Sequence, residues 1–384
     1  MAIVLLRRFV VAGVLVLASG AALAQGGARD TGEIVIGQSG AFTGPVAAGP
    51  LEFRQGAQVF FDQQNAAGGI NGRKVRLVSV DDALNPKKAL ENANEMLDKY
   101  PNLLAFFGFV GTGNAMAMIP LIEERQIPYF APLTGATSVH AKKSPYVFLV
   151  RAGYLEEARS ITQQLSTIGQ NRIAALVLDD PLGKALLVDL QTAAKERGIV
   201  LAGTQVVGLT ADSAVIGKAV DALAALQPDV IVLAGAGRPV VEFLRQAKAK
   251  GVTASFYSMS TLSIADISRS LGETARGVVV SQIVPSPLRL KVPIAKEFKA
   301  ALAAADAAAK PTHRSLEGYI AAKVFSEAVR RAGTGVNRQS LARALEAMKN
   351  YDVGGMNLTF SRDNRAGSRY VDLVIISSGG NLVD

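Results

Sequence analysis

Residues 33–81 read EIVIGQSGAFTGPVAAGPLEFRQGAQVFFDQQNAAGGINGRKVRLVSVD, and the change of hydrophobic period inside this stretch decides the fold class. Glu33 to Ser39 is a short apolar run, Leu51 to Ala66 has helical periodicity, and Val75 to Asp81 returns to a strand. A strand, a helix and a second strand in that order make a βαβ unit with parallel pairing. The alternation continues outward through a helix at Pro86 to Lys99 and strands at Leu104 to Phe109, Ile127 to Ala131, Arg172 to Leu178, Val200 to Val207 and Val230 to Ala234. These strands are nearly all apolar, as parallel strands covered on both faces must be. Ile216, Val220, Leu223 and Leu226 recur at helical spacing until Pro228 stops the helix.

The order changes after Gly277. Lys291 to Ala309, Arg314 to Arg331 and Gln339 to Lys349 read as consecutive helices, and Ser368 to Ile376 returns to a strand. No fixed-period repeat or heptad is present. The expected fold is α/β, with two Rossmann-like lobes built on parallel central sheets and joined by a hinge of three crossings. Residues 25–150 with 280–352 are expected to form the first lobe, and 151–279 with 353–384 the second. Tyr146 to Ala152, Val278 to Gln282 and Tyr351 to Asn357 are the candidate crossings. Such a hinge closes a cleft over a ligand.

The amino-terminal residues bear on compartment. Arg7 and Arg8 form a positive region, Phe9 to Leu17 an apolar segment, and Ala22-Leu23-Ala24 a small-residue cleavage site. The apolar segment is shorter than the roughly 20 residues that span a bilayer. It reads as a Sec signal peptide, residues 1–24, cleaved after Ala24. Its removal leaves 360 of the 384 residues, more than one core usually organises, and lowers the net charge from +9 to +7. The chain has no Cys, so neither a disulfide nor a lipid-modified Cys is available. Basic pairs such as Lys87-Lys88 and Lys142-Lys143 are scattered, which describes a solvated surface and not a nucleic-acid stripe.

In an open α/β sheet a ligand sits beyond the carboxyl ends of the strands, where helix N-termini offer unpaired N–H groups to an anion. Gly111-Thr112-Gly113-Asn114 and Leu133-Thr134-Gly135-Ala136-Thr137 follow strands in that way, and Ser39 to Thr43 is a third such loop. The same residues also suit capping boxes and tight turns. Catalytic signatures are poor. His140 and His313 are the only histidines, which leaves no multi-imidazole metal site, and both read as surface or capping residues. Gly37-Gln38-Ser39-Gly40-Ala41 lacks the second Gly of a nucleophile elbow, and Gly235-Ala236-Gly237 is followed by Val240 where a dinucleotide fingerprint needs Gly. Asp81-Asp82 and Asp179-Asp180 suit a cation or acid–base pair, or turn formation.

The order of these loops resembles a known family. Ile36-Gly37-Gln38 through Phe42-Thr43-Gly44-Pro45, Ala67 to Arg73, Asp81-Asp82, Gly108 to Thr112 and Pro128 to Ala136 resemble the type I periplasmic leucine/isoleucine/valine-binding protein family. The match continues through Asp179-Asp180 with Gly183-Lys184, Gly235, Ser281-Gln282, Pro285-Ser286-Pro287 and Glu317-Gly318-Tyr319. Order and spacing carry the resemblance; no single motif does.

The resemblance implies a non-catalytic, two-lobed periplasmic carrier without a cofactor. Its partners would be a small carboxylate-bearing solute and the inner-membrane permease of an ABC importer, with a monomer as the default. A ligand-sensing receptor module and an α/β hydrolase acting through Ser39 are the alternatives. In the family a hydroxyl residue matching Thr112 and the loop matching Leu133 to Gly135 hold the ligand carboxylate. The acid that grips an α-ammonium group is replaced here by Ser260, and two aromatic positions by Leu182 and Gly237. Asp180 and Glu317 are candidates to replace that acid, since a buried ammonium without a partner is costly. Tyr154 and Gln282 are candidate hydrogen-bonding residues. Phe42, Phe109 and Tyr257 are candidate apolar walls.

Overall fold

Apolar strands bury both faces of two sheets, and helices supply the cover. The computed structural model describes residues 32–141 and 144–378 and the terminal strand Leu382–Val383. The signal peptide with its cleavage point, and Lys142-Lys143, lie outside the described residues. The first lobe opens with β1 (Ile34–Gly40), α1 (Ala48–Ala66), β2 (Val75–Asp81) and α2 (Pro86–Lys99). It continues with β3 (Ala105–Phe107), α3 (Thr112–Arg125), β4 (Tyr129–Phe130), α4 (Thr137–His140) and β5 (Val147–Phe148). These five strands form a wholly parallel sheet in the order β2-β1-β3-β4-β5.

The second lobe begins with α5 (Tyr154–Thr167), β6 (Arg172–Leu178), α6 (Pro181–Glu196), β7 (Val200–Val207) and α7 (Ser213–Ala225). It adds β8 (Val230–Ala234), α8 (Arg238–Ala249), β9 (Ser255–Ser258), α9 (Ile264–Leu271) and β10 (Val279–Gln282). The chain then returns to the first lobe as α10 (Pro293–Ala305), α11 (His313–Ala332), α12 (Arg338–Glu346) and a hairpin of β11 (Tyr351–Asp352) and β12 (Asn357–Leu358). It ends in the second sheet with β13 (Asp372–Ile376) and β14 (Leu382–Val383). That seven-stranded sheet runs β14-β13-β10-β9-β8-β6-β7, parallel except for the two last-added strands.

The three crossings follow from this path. The first runs from Leu149 to Gly153 and the second between β10 and α10. The second and third differ from the sequence expectation: Val278 to Gln282 is taken up by β10, a strand of the second sheet, and Tyr351 to Asn357 does not cross. Val353, Met356, Leu358 and Phe360 join the core of the first lobe, so the chain crosses between Phe360 and β13. First and third crossings lie side by side, with Leu149 N–H donating to the Arg365 carbonyl at 2.8 Å and Gly367 N–H donating to that of Leu149 at 2.7 Å. These two bonds tie the first and third crossings to each other.

Three apolar clusters hold the fold. One packs α1 and α10 to α12 against the first sheet, with Phe53, Phe61, Phe107, Phe130 and Phe325 in edge, tilted and stacked contacts. A second runs without a break from Val35 and Phe106 in the first lobe to Ile161, Val177 and Val232 in the second. A third lies under α7 to α9. The helices α1 and α11 pack along each other. Their separation is set by Gly56 and Gly318: a Cβ on Gly56 would fall on the Ser315 carbonyl oxygen, and one on Gly318 on that of Phe53.

Gly56→Ala and Gly318→Ala should each destabilise the protein by about 2 kcal/mol or more, because backbone must move to admit a methyl group. Urea unfolding reads the effect as a lower midpoint; an unchanged midpoint would mean that α1 and α11 part freely.

Candidate functional site

Parallel strands deliver their loops to one end of each sheet, and in this chain those ends face each other. Between them lies a cavity of about 230 Å³ lined by both lobes. Four helices start at its wall: α3 at Thr112 from the first lobe, and α5 at Tyr154, α6 at Pro181 and α8 behind Gly237 from the second. Most of the remaining wall is apolar, including Val46, Pro50, Leu84, Val110, Leu133 and Leu182. An apolar chamber with a few converging polar groups suits a small solute having one charged end.

The polar corner of the first lobe is built from two hydroxyls. Thr112 Oγ1 and Thr134 Oγ1 are 2.8 Å apart, and the Thr134 oxygen also accepts the Ala136 N–H at 3.2 Å. No side chain caps α3, whose N-cap is Gly111, so its first-turn N–H groups and partial positive charge remain available to an anion. Tyr154 is buried over this corner, its N–H donating to the Gly135 carbonyl at 2.7 Å. Burial pushes the pKa of its phenol up, so the group stays a neutral donor.

A buried charged ring borders the second side of the cavity, and sequence reasoning missed three of its members, Arg151, Glu157 and Arg314. Arg151, 3% exposed, lies in the first crossing. Its guanidinium contacts Glu157 at 3.3 Å, Glu317 at 3.6 Å and the Ser260 hydroxyl, and lies 5.5 Å from the Tyr154 ring. Glu157 is fully buried and accepts the Ser260 N–H at 2.7 Å, the Ser260 hydroxyl at 2.9 Å and the Ser281 hydroxyl at 2.6 Å. Arg314 closes the ring by donating to Glu317 and to the Ser260 carbonyl. Burial opposes the charge on Arg151, but the surrounding acids, Glu317 foremost, outweigh it and hold the guanidinium above its ordinary range. One signal for Glu157 was legible: it occupies the face of α5 that Ile161 and Leu165 make apolar. A lone Arg amid Leu149, Val150 and Ala152 was the corresponding signal for Arg151.

The candidate residues divide among three places. Thr112, Leu133, Tyr154, Asp180, Leu182 and Gly237 line the cavity, with Thr134, Gly135 and Ala136 immediately behind Leu133. Ser260, Gln282 and Glu317 face a second space of about 280 Å³, and Arg314, Leu262 and Ser263 stand between the two. Ser39 and Phe42 line neither. The buried Ser39 hydroxyl donates to Asp82 at 2.7 Å and accepts from Asn92 at 3.0 Å, an arrangement that ties β1 to β2 and α2 and has no histidine in it. Phe42 lies under Arg54, 4.4 Å from its ring centre. Asp180 caps α6 by accepting the Gly183 N–H at 2.7 Å, and burial pushes its pKa up. Phe109 packs inside the first lobe against Phe106 and Tyr129, and Tyr257 belongs to the same continuous cluster.

The lobes touch around the cavity. Arg238 N–H donates to the Pro45 carbonyl at 3.3 Å, Ser263 to Glu52 at 3.2 Å, and Thr137 to Asp189 at 2.7 Å. Gly237 is what allows the first of these. Its φ is +75°, and a Cβ there would meet the Pro45 oxygen at 2.5 Å and Val46 at 2.8 Å. No aromatic side chain fits that position with the lobes so placed. Both histidines differ from the sequence expectation of surface or capping groups. The Nε2 atoms of His140, at the end of α4, and His313, at the start of α11, are buried without a hydrogen-bond partner. Burial, with Arg314 nearby, pushes His313 down to about 3, and burial pushes His140 down to about 4.

Comparison with known proteins agrees with this geometry. A family model described as periplasmic binding protein matches residues 33–381. The leucine-specific-binding protein of Salmonella typhimurium is 27% identical over 276 residues, covering 71% of each chain. Leu/Ile/Val-binding protein homolog 3 of Brucella melitensis is 25% identical over 342 residues, covering 89% of this chain and 90% of that one. The crystal structure of a substrate-binding periplasmic protein from Ralstonia solanacearum superposes with a TM-score of 0.85 at 31% identity, covering 91% of this chain and 99% of that one.

Two measurements probe the site geometry. Gly237→Ala should hold the lobes apart, and small-angle scattering should give a larger radius of gyration than the parent; identical profiles would mean that the rim contact does not limit closure. His313 has a folded-state value far below the unfolded one of 6.5, so its neutral form contributes stability that is complete above pH 6.5 and is lost as pH falls toward 3. Replacing it by Gln should therefore flatten the stability profile between pH 6 and 4 by about 1.4 kcal/mol per pH unit, read by urea unfolding at each pH.

Proposed function

This chain belongs to the periplasmic binding protein family, in its leucine/isoleucine/valine-binding branch, and we propose that it captures a small carboxylate-bearing solute between its lobes. The observation that carries this reading is the pairing of the uncapped N-terminus of α3 and the Thr112–Thr134 hydroxyls with an otherwise apolar chamber. The helix end and hydroxyls take the carboxylate, and the apolar walls take the body of the solute. Burying a side chain the size of leucine is worth about 1.5–3 kcal/mol.

Closure is the working step in this reading. A ligand favours the closed arrangement only through contacts made to both lobes at once. The carboxylate corner is on the first lobe, while Leu182 and Gly237 are on the second, so one solute bridges them. The closed outline would then be recognised by the permease of an ABC importer in the inner membrane, with the carrier acting as a periplasmic monomer. No catalysis is assigned, and the burial of Ser39 away from the cavity argues against a serine nucleophile. The Salmonella and Brucella relatives are named for leucine and for leucine, isoleucine and valine, which supports a solute of that size.

The test is a thermal-shift screen with leucine, its keto acid and a panel of aromatic and dicarboxylic acids. A ligand at 100 times its dissociation constant should add about 2.7 kcal/mol of stability. Thr112→Ala should weaken the best ligand about tenfold, the loss of one hydrogen bond to a charged group. Steady turnover of any panel member, or undiminished affinity in the variant, would count against the reading.

A further inference from the structure

We infer that the solute carries no amine, and that its second polar group is an oxygen acceptor (an oxo, hydroxyl or second carboxylate group) received by Arg151 and Arg314. This deepens the carboxylate reading above and rests on it. Both arginines line the interlobe cavity. An ammonium group has only hydrogens to donate and needs an acceptor, whereas a guanidinium needs one too.

The acceptors beside the two arginines are already engaged. Glu157 spends its oxygens on Arg151, Ser281 and two groups of Ser260. Glu317 spends its own on Arg151 and Arg314, and the Ser260 carbonyl is taken by Arg314. The two carboxylates on the remaining cavity wall are also occupied. Asp180 accepts backbone N–H groups at the start of α6, and Asp266 faces Arg269 at 3.7 Å. An amine entering this corner would find no unpaired carboxylate, with two guanidinium groups beside it.

One donor remains. Arg151 Nε is buried and has no hydrogen-bond partner, an arrangement costly to leave unmet. Nε itself is covered, so a ligand oxygen gives it a partner when the Arg151 side chain, which lines the cavity, shifts toward that oxygen. Ser260, a hydroxyl residue in place of an acid, is what makes this possible. It lets Arg151 swing into contact with its Oγ and leaves Glu157 and Glu317 to neutralise the two arginines. The corner is a neutral unit of two arginines and two glutamates.

The experiment is isothermal titration of the purified chain with matched pairs: leucine and its keto acid, phenylalanine and phenylpyruvate, glutamate and its keto acid. At least one keto acid should bind about tenfold or more tightly than its amino acid. Equal or tighter binding by the amino acid of every pair, or no binding by any keto acid, would overturn the inference. The methyl ester of the tightest keto acid separates the two readings: if it binds as well as the acid, the carboxylate reading fails and the amine-free one does not. Arg314→Gln releases Glu317 to accept a donor, so it should lower the keto-to-amino affinity ratio about tenfold; an unchanged ratio in the folded variant would also overturn the inference. A merely structural Arg314 would weaken both ligands alike.

Discussion

Two buried arginines held by two buried glutamates form the joint on which the molecule depends. Arg151 comes from the first crossing, Glu157 from α5, Ser260 from the loop after β9, and Arg314 and Glu317 from α11. The ring therefore links the hinge to both lobes. Buried ion pairs gain little over apolar packing of the same volume, yet breaking one costs about 3–5 kcal/mol because a charge is left unpaired. That asymmetry makes the ring a device for position. It holds the loop after β9 and the start of α11 in one relation, and the cavity wall they form cannot drift while the charges stay paired.

The hinge shares this economy. The first and third crossings are hydrogen-bonded to each other at Leu149, Arg365 and Gly367, and Arg365 also lies 4.7 Å from the Phe148 ring and pairs with Glu346. The crossings are thus anchored on the first lobe by charge and aromatic contact. The second lobe carries fewer such ties at its rim: one backbone bond at Pro45, one hydroxyl bond at Glu52 and one at Asp189. Few and weak rim bonds are what a reversible cleft requires, since each must break when the solute leaves.

Much of the fold was legible because period and burial are local properties. The parallel strands read as apolar runs; their order in each sheet could not be read, because the handedness of a βαβ connection leaves open on which side the next strand adds. The third crossing was not legible. Tyr351 to Asn357 is short, polar and glycine-containing, the signature of a linker, but Val353 and Met356 between its polar residues bury it against the first lobe. The loops around Thr112 and Leu133 could be found from Gly and Thr after a strand. Arg151 and Glu157 could not be placed by the same logic, because a buried ion pair is made by residues distant in sequence whose separate contexts look like a stray charge in an apolar segment.

Ser260 sits in a corner whose charges balance without an acid at that position. An acid there would add a third carboxylate beside Glu157 and Glu317, with only Arg151 and Arg314 to balance it. With Ser, the two positive and two negative groups close on themselves, and the small hydroxyl bridges Arg151 to Glu157. The charge balance of the corner is then complete without a ligand, so an entering solute gains from it by hydrogen bonding and not by neutralising a charge. In the proposed reading, affinity comes chiefly from the helix end at Thr112 and from apolar contact with walls contributed by both lobes, and selectivity falls to the ring, because it would fix which polar groups a solute can bring to that corner without leaving a buried donor unmet.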